Sequence, residues 1–95
     1  MKRDNLQSQY LPAFRGYAVA CIAHICMPAE WRSAVIKAIR GVKLPLTEVI
    51  GKSKRESWCI YVKRVISGAR AVMPAGTERE RILKELQIEL NQRGI

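Results

Sequence analysis

The sequence predicts an all-α fold, a compact bundle of four main helices plus a short helical turn, in a single domain over residues 1–95. Three observations predict it. Apolar residues recur at spacings of three and four along most of the chain, the period of a helix face. No alternating run long enough for a strand interrupts them. Two Ser/Thr-x-x-Glu strings, Ser53–Glu56 and Thr77–Glu80, stand in front of apolar runs as capping boxes that would open helices. With 48% hydrophobic and 26% charged residues, the chain can bury one modest core and no second domain.

Residues 1–10 read as a polar N-terminal segment. Met1-Lys2-Arg3 is basic, but a polar run from Asp4 to Gln9 follows where an export signal needs an apolar stretch, so none is expected. From Pro12 to Met27 the residues Phe14, Tyr17, Ala18, Cys21, Ile22 and Ile25 form one helix face. Val19, Ala20, Ala23 and Met27 lie opposite, which makes this helix apolar almost all round and places it at the centre of the fold. Its uncharged stretch, Gly16 to Ala29, lies between Arg15 and Glu30 and falls short of the roughly 20 residues of a membrane span.

Pro28 suits the first position of a second helix, where its missing N–H is no loss. Trp31, Ala34, Val35, Ala38, Ile39 and Val42 make the inward stripe of that helix, and Gly41 is its natural stop. After a connector, Lys43-Leu44-Pro45-Leu46, one helical turn is expected over Thr47–Ile50. The Ser53 capping box then opens a long helix with Trp58, Tyr61, Val62, Val65, Ile66 and Ala69 inward and Gly68 weakening its end. Residues 71–76 read as a loop. The last helix, opened by Thr77–Glu80, carries Ile82, Leu83, Leu86 and Leu90, with Glu80–Lys84 and Glu89–Arg93 as i,i+4 pairs and Gly94 as the stop.

Charge is where the sequence speaks about function. Seventeen Lys and Arg against eight Asp and Glu give +9, too large an excess to serve solubility alone. Ten of the bases (Arg32, Lys37, Arg40, Lys43, Lys52, Lys54, Arg55, Lys63, Arg64 and Arg70) stand between residues 32 and 70 against only Glu48 and Glu56, a net +8. Ordinary solvated helix faces mix signs, so this stretch points to nucleic acid or an acidic protein surface as partner. If the second and the long helix pack with their basic faces on one side, they form a positive groove closed by the turn at Gly51-Lys52-Ser53. The expected function is that of a small basic, non-enzymatic, cytoplasmic binding protein that engages nucleic acid or a nucleic-acid-processing protein. A helix-turn-helix regulator over Leu46–Arg64, reading bases through Lys54, Arg55 and Glu56, is the alternative. A membrane-surface binder using the first helix is a third. Trp31, Trp58, Tyr61, Phe14 and Tyr17 all fall on inward stripes, so no platform for base stacking is expected.

Chemistry beyond binding finds no motif. Cys21, His24, Cys26 and Cys59 do not converge as zinc ligands, because Cys26 lies about 200° round the helix from His24; no metal and no cofactor is expected. An odd number of cysteines argues for reduced thiols and against a disulfide framework. His24 reads as a core histidine rather than a catalytic base, and no nucleophile motif or glycine-rich phosphate loop is present. The 71–76 loop, with Met73 and Pro74, reads as a helix breaker that a prolyl isomerase or a docking groove could also grip.

The string Pro12-Ala13-Phe14-Arg15-Gly16 is similar to a stretch in lambda Gam, the phage protein that inhibits the RecBCD nuclease. The resemblance covers that pentapeptide alone, and no functional residue is carried over from it. It implies a category: small phage accessory proteins and inhibitors that act on host DNA-processing machinery.

Overall fold

Pro12 sits in the first turn of a helix, where no backbone N–H is needed, and its fixed φ helps the chain enter α1 (Leu11–Ala23). The structure is a computed structural model that describes residues 6–93. Four further helices follow: α2 (Ala29–Gly41), α3 (Leu46–Val49), α4 (Lys54–Val72) and α5 (Thr77–Gln92). Among the described residues there is no strand, and the fold is an all-α bundle of four main helices with a one-turn fifth.

The helix directions follow from two arginines. Arg15, early in α1, donates through Nη2 to the carbonyl of Val42, just past α2. Arg32, early in α2, donates to the carbonyls of Ile22 and Ile25 at the far end of α1. The two helices therefore run antiparallel. α2 packs most closely on α4, and the seam is narrow because Gly68 faces Ala38: a Cβ built on Gly68 would lie 3.8 Å from that of Ala38. α5 covers α4 and α1 from the other side.

Phe14 is fully buried at the centre, 5.0 Å from the Trp58 ring in an edge-on arrangement and 5.6 Å from Tyr61. Around these rings lie Ala18, Cys21 and Ile22 of α1, Val35 and Ile39 of α2, Val65 of α4, and Ile82, Leu86 and Leu90 of α5. Each inward stripe named from spacing supplies core residues, as apolar area withdrawn from water demands. Outside the helices, residues 6–8 form a strap across the connector. Ser8 N–H donates to Leu44 O, Leu46 N–H donates to Leu6 O, and Gln7 bridges Pro45.

The boundaries depart from the sequence reading at five places, the smallest of them at α3, which spans Leu46–Val49 where the sequence predicts Thr47–Ile50. α1 stops at Ala23 and not at Met27, with His24 as its C-cap, because Arg32 occupies the Ile22 and Ile25 carbonyls and the chain tightens into a turn; Ile25 and Met27 stay buried beyond the helix. Pro28 is the N-cap of α2 and not its first residue. α4 runs through Gly68 to Val72, which shortens the 71–76 loop to residues 73–76. α5 opens without a capping box: Gly76, at φ 150°, is its N-cap, Thr77 is already helical, and Glu80 turns to Arg70 and Arg79. The Ser53–Glu56 box forms as expected, with Ser53 Oγ accepting from Glu56 N–H at 3.1 Å and Glu56 Oε1 accepting from Ser53 N–H at 2.8 Å. The readings on Met1 to Asp4 and on Gly94 fall outside the described residues.

Candidate functional site

The ten bases singled out by charge divide into two kinds. Arg32, Arg64 and Arg70 are tied into the fold. Arg32 closes the end of α1, and Arg64 donates to the carbonyl of Lys43 and pairs with Glu48, pinning the connector and α3 onto α4. Arg70 pairs with Glu80 at 2.8 Å, joining α4 to the start of α5. Lys37, Arg40, Lys43, Lys52, Arg55 and Lys63 are exposed, and none of them makes an ion pair among the described residues. Lys54 is half-buried with its Nζ 5.5 Å above the ring of Tyr10, a cation–π geometry.

Four of the described acids, Glu48, Glu78, Glu80 and Glu85, pair with arginines. Every ion pair among the described residues contains one: Arg64–Glu48, Arg70–Glu80, Arg79–Glu80, Arg81–Glu78 and Arg81–Glu85. The guanidinium fork matches a carboxylate in a way that an ammonium does not. Hydrogen bonds from Arg81 hold the Glu78 carboxyl below its ordinary range, and those from Arg79 and Arg70 do the same at Glu80. The lysines among the described residues are consequently left without a carboxylate partner.

The free bases do not line one groove between α2 and α4. That seam is occupied by Ala38 and Gly68. Arg40 lies about 200° round α2 from Ala38, and it faces α1, sharing a cleft of about 460 Å³ with Arg15, Gly16 and Val19. Lys63 lies on the α5 side of α4, beside Trp58, Cys59, Val62, Gln87 and Asn91. What the fold does gather is the end of the bundle where α2 stops and α4 starts. Lys43 leaves α2, Lys52 follows Gly51 in a turn at φ 79°, and Lys54 and Arg55 open α4. Beside them is a shallow cleft of about 430 Å³ lined by the strap, Leu46, Val49, Ile50 and Lys52. Ile50, 73% exposed, stands on its rim.

Arg15 is the residue that charge counting overlooks. It lies outside the +8 stretch, on a largely apolar helix, and its Nε is buried without a hydrogen-bond partner. The available signal was its position: one charged residue next to a glycine, on the edge of the Phe14 face.

The sulfur and imidazole groups are scattered. Cys21 is buried, its thiol pushed up by burial and drawn back in part by Arg93, whose Nε lies 3.1 Å from Sγ. Cys26 and Cys59 are exposed free thiols, and no group of metal-ligating residues forms among the described residues. His24 is exposed, which corrects its reading as a core histidine; the break in α1 carries it outward. Met73 is buried and so unavailable for capture with Pro74, which alone of the pair is exposed. No described helix is long and apolar enough to cross a membrane.

No protein-family model, curated protein or solved structure was found to match this chain.

Proposed function

We propose that this protein is a small, non-enzymatic binder of nucleic-acid backbone that acts in the cytoplasm through the basic end of its bundle. The observation that carries this reading is the division of labour among its charges: every ion pair of the described residues goes to an arginine, and Lys37, Lys43, Lys52 and Lys63 face outward without one. Lys43, Lys52, Lys54 and Arg55 form the centre of the footprint, with Lys37 extending it along α2. They act as phosphate contacts and not as base readers, since the large aromatic rings are in or against the core. The resemblance at Pro12–Gly16 suggests the setting, a phage accessory or inhibitor of DNA-processing machinery.

A second reading has its own support. Ile50 and Leu46 are exposed beside Lys52, and an apolar patch rimmed by bases also fits the acidic surface of a protein that itself handles nucleic acid. A helix-turn-helix reading draws little from α3, which spans only Leu46–Val49. Membrane-surface binding draws little from α1, whose large apolar residues are spent on the core.

Fluorescence anisotropy with random single- and double-stranded DNA tests the proposal. Binding through six to ten phosphates should weaken by about 10³ to 10⁵ between roughly 50 and 200 mM salt. The triple reversal Lys52→Glu, Lys54→Glu, Arg55→Glu should abolish it with helicity unchanged. Absence of binding at low salt would overturn the nucleic-acid reading and leave the acidic-protein one.

A further inference from the structure

The cleft between α1 and α2 holds two guanidinium groups, those of Arg15 and Arg40, and no carboxylate lines it. Like charges brought close together repel, and a concave site lined by one sign of charge concentrates the opposite ion. By contrast, the cleft at Ile66 and Leu83 also contains an arginine, but there Arg70 is neutralised by Glu80. In the α1–α2 cleft neither arginine meets a carboxylate. Arg15 is fixed from behind, its Nη2 donating at 3.1 Å to Val42 O, while its buried Nε has no partner. Arg40 is exposed in the last turn of α2 and makes no ion pair.

Gly16 adds an independent observation. It sits inside α1, where glycine costs about 1 kcal/mol relative to alanine, yet no neighbouring atom lies within 4 Å of a Cβ built there. Close packing does not require the glycine; a side chain there would enter the open space that the two arginines line. Val19 gives that space an apolar wall.

We infer that this cleft is a binding site for a phosphate monoester carried on an apolar or aromatic body, with the phosphate between Arg15 and Arg40 and the body over Gly16 and Val19. Two guanidinium forks suit a dianion better than the single charge of an internal phosphodiester. The site is therefore chemically distinct from the lysine-rich end. It does not depend on the function proposed above.

Phenyl phosphate is the probe, titrated into the full chain with backbone amide shifts as readout. Saturable one-to-one binding should move the amides of Arg15, Gly16, Val19 and Arg40. Affinity should rise as pH passes upward through about 6, where the phosphate takes its second charge. Methyl phenyl phosphate, a monoanionic diester, should bind at least about tenfold more weakly, a factor that one lost charge-assisted contact supplies. Arg40→Gln should weaken phenyl phosphate by a similar factor, and Gly16→Leu should block it by filling the space. Arg40 makes no hydrogen bond or ion pair among the described residues, so Arg40→Gln keeps the test valid even if Gly16→Leu fails to fold. Lys63→Gln and the Lys52/Lys54/Arg55 reversal should leave phenyl phosphate binding unchanged, which separates this site from the DNA footprint. A 5′-phosphorylated oligonucleotide preferred over its unphosphorylated form would assign the monoester to a nucleic-acid end; no such preference beside saturable phenyl phosphate binding would assign it to a small molecule. Shifts that fail to saturate, equal affinity for the diester, or an Arg40→Gln variant that binds as well as the parent would overturn the inference.

Discussion

The indole Nε1 of Trp58 donates a 3.2 Å hydrogen bond to the backbone carbonyl of Leu90 across the buried α4–α5 interface. Leu90 lies in the last turn of α5, where carbonyls run out of helical partners. One side chain thus fills the core and satisfies the end of another helix. Trp58→Ala should cost about 3–5 kcal/mol in urea unfolding. Trp58→Phe retains much of the ring volume but strands the carbonyl, and should cost about 1–3 kcal/mol. A Trp58→Phe variant as stable as the parent would show that the hydrogen bond contributes nothing.

Arg32 should behave as a structural residue despite its place in the basic stretch. Its planar fork reaches two carbonyls at once, a geometry a lysine ammonium cannot match. Arg32→Lys should lower stability by about 1–2 kcal/mol, the scale of a lost charge-assisted bond, whereas Lys37→Ala on the outer face of the same helix should shift it by less than about 0.5 kcal/mol. Thermal unfolding of the two variants side by side checks the contrast.

Gly16 and Gly51 should respond oppositely to alanine. Gly16 has helical backbone and open space, so Gly16→Ala should stabilise by about 0.5–1 kcal/mol. Gly51 sits at φ 79°, where a Cβ is strained, and Gly51→Ala should destabilise by about 1 kcal/mol or more. Two melting curves that move in the same direction would contradict this.

At high pH the fold should fail through Tyr61. Burial pushes its phenol up from 10.0 to about 12, with Arg15 pulling weakly the other way. The folded state favours the neutral form, so this contribution to stability is complete below pH 10 and disappears as pH rises from 10 toward 12. Tyr61→Phe removes a buried hydroxyl that has no hydrogen-bond partner, and should extend the stable range upward in an alkaline titration followed by circular dichroism.

At low pH the relevant group is Glu80. Its carboxyl is held below the ordinary 4.5 by hydrogen bonds first from Arg79 and then from Arg70. That stabilisation is present above 4.5 and fades as pH falls below it through the lowered folded-state value. Glu80→Gln should flatten the acid limb of the stability profile, and a limb of unchanged steepness would remove Glu80 as its cause.

Spacing made most of this fold legible because burial is periodic. The stripes through Val35 and Ile39, Tyr61 and Val65, and Leu86 and Leu90 could be read from the chain, and all are buried. Helix ends were harder, since they depend on partners remote in sequence. Nothing near Ala23 announces that Arg32 will take the carbonyls that end α1, and nothing at Thr77 shows that Glu80 will prefer Arg70 to its capping role. The basic stretch was visible as composition, but its distribution over several sides of the bundle depends on which flank of each helix meets which neighbour. Arg40 and Lys63 are alike in charge and end on different faces for that reason.

The strap at residues 6–8 gives the molecule a topology that its helices alone lack. Because Gln7 also accepts from Leu44 N–H, 37 residues further on, α1 and α2 are enclosed in a non-covalent ring. Closing such a ring costs chain entropy that grows only slowly with its length, and the return is modest: three amides, on Ser8, Leu44 and Leu46, are covered. Lifting the strap parts no helix from another, so it is a low-energy opening separate from global unfolding. Amide hydrogen exchange at these three positions should then run ahead of the α4 core. The bundle would breathe at the end where its uncompensated lysines gather, and a partner bound across Lys43 and Lys52 would slow that exchange by holding the ring shut.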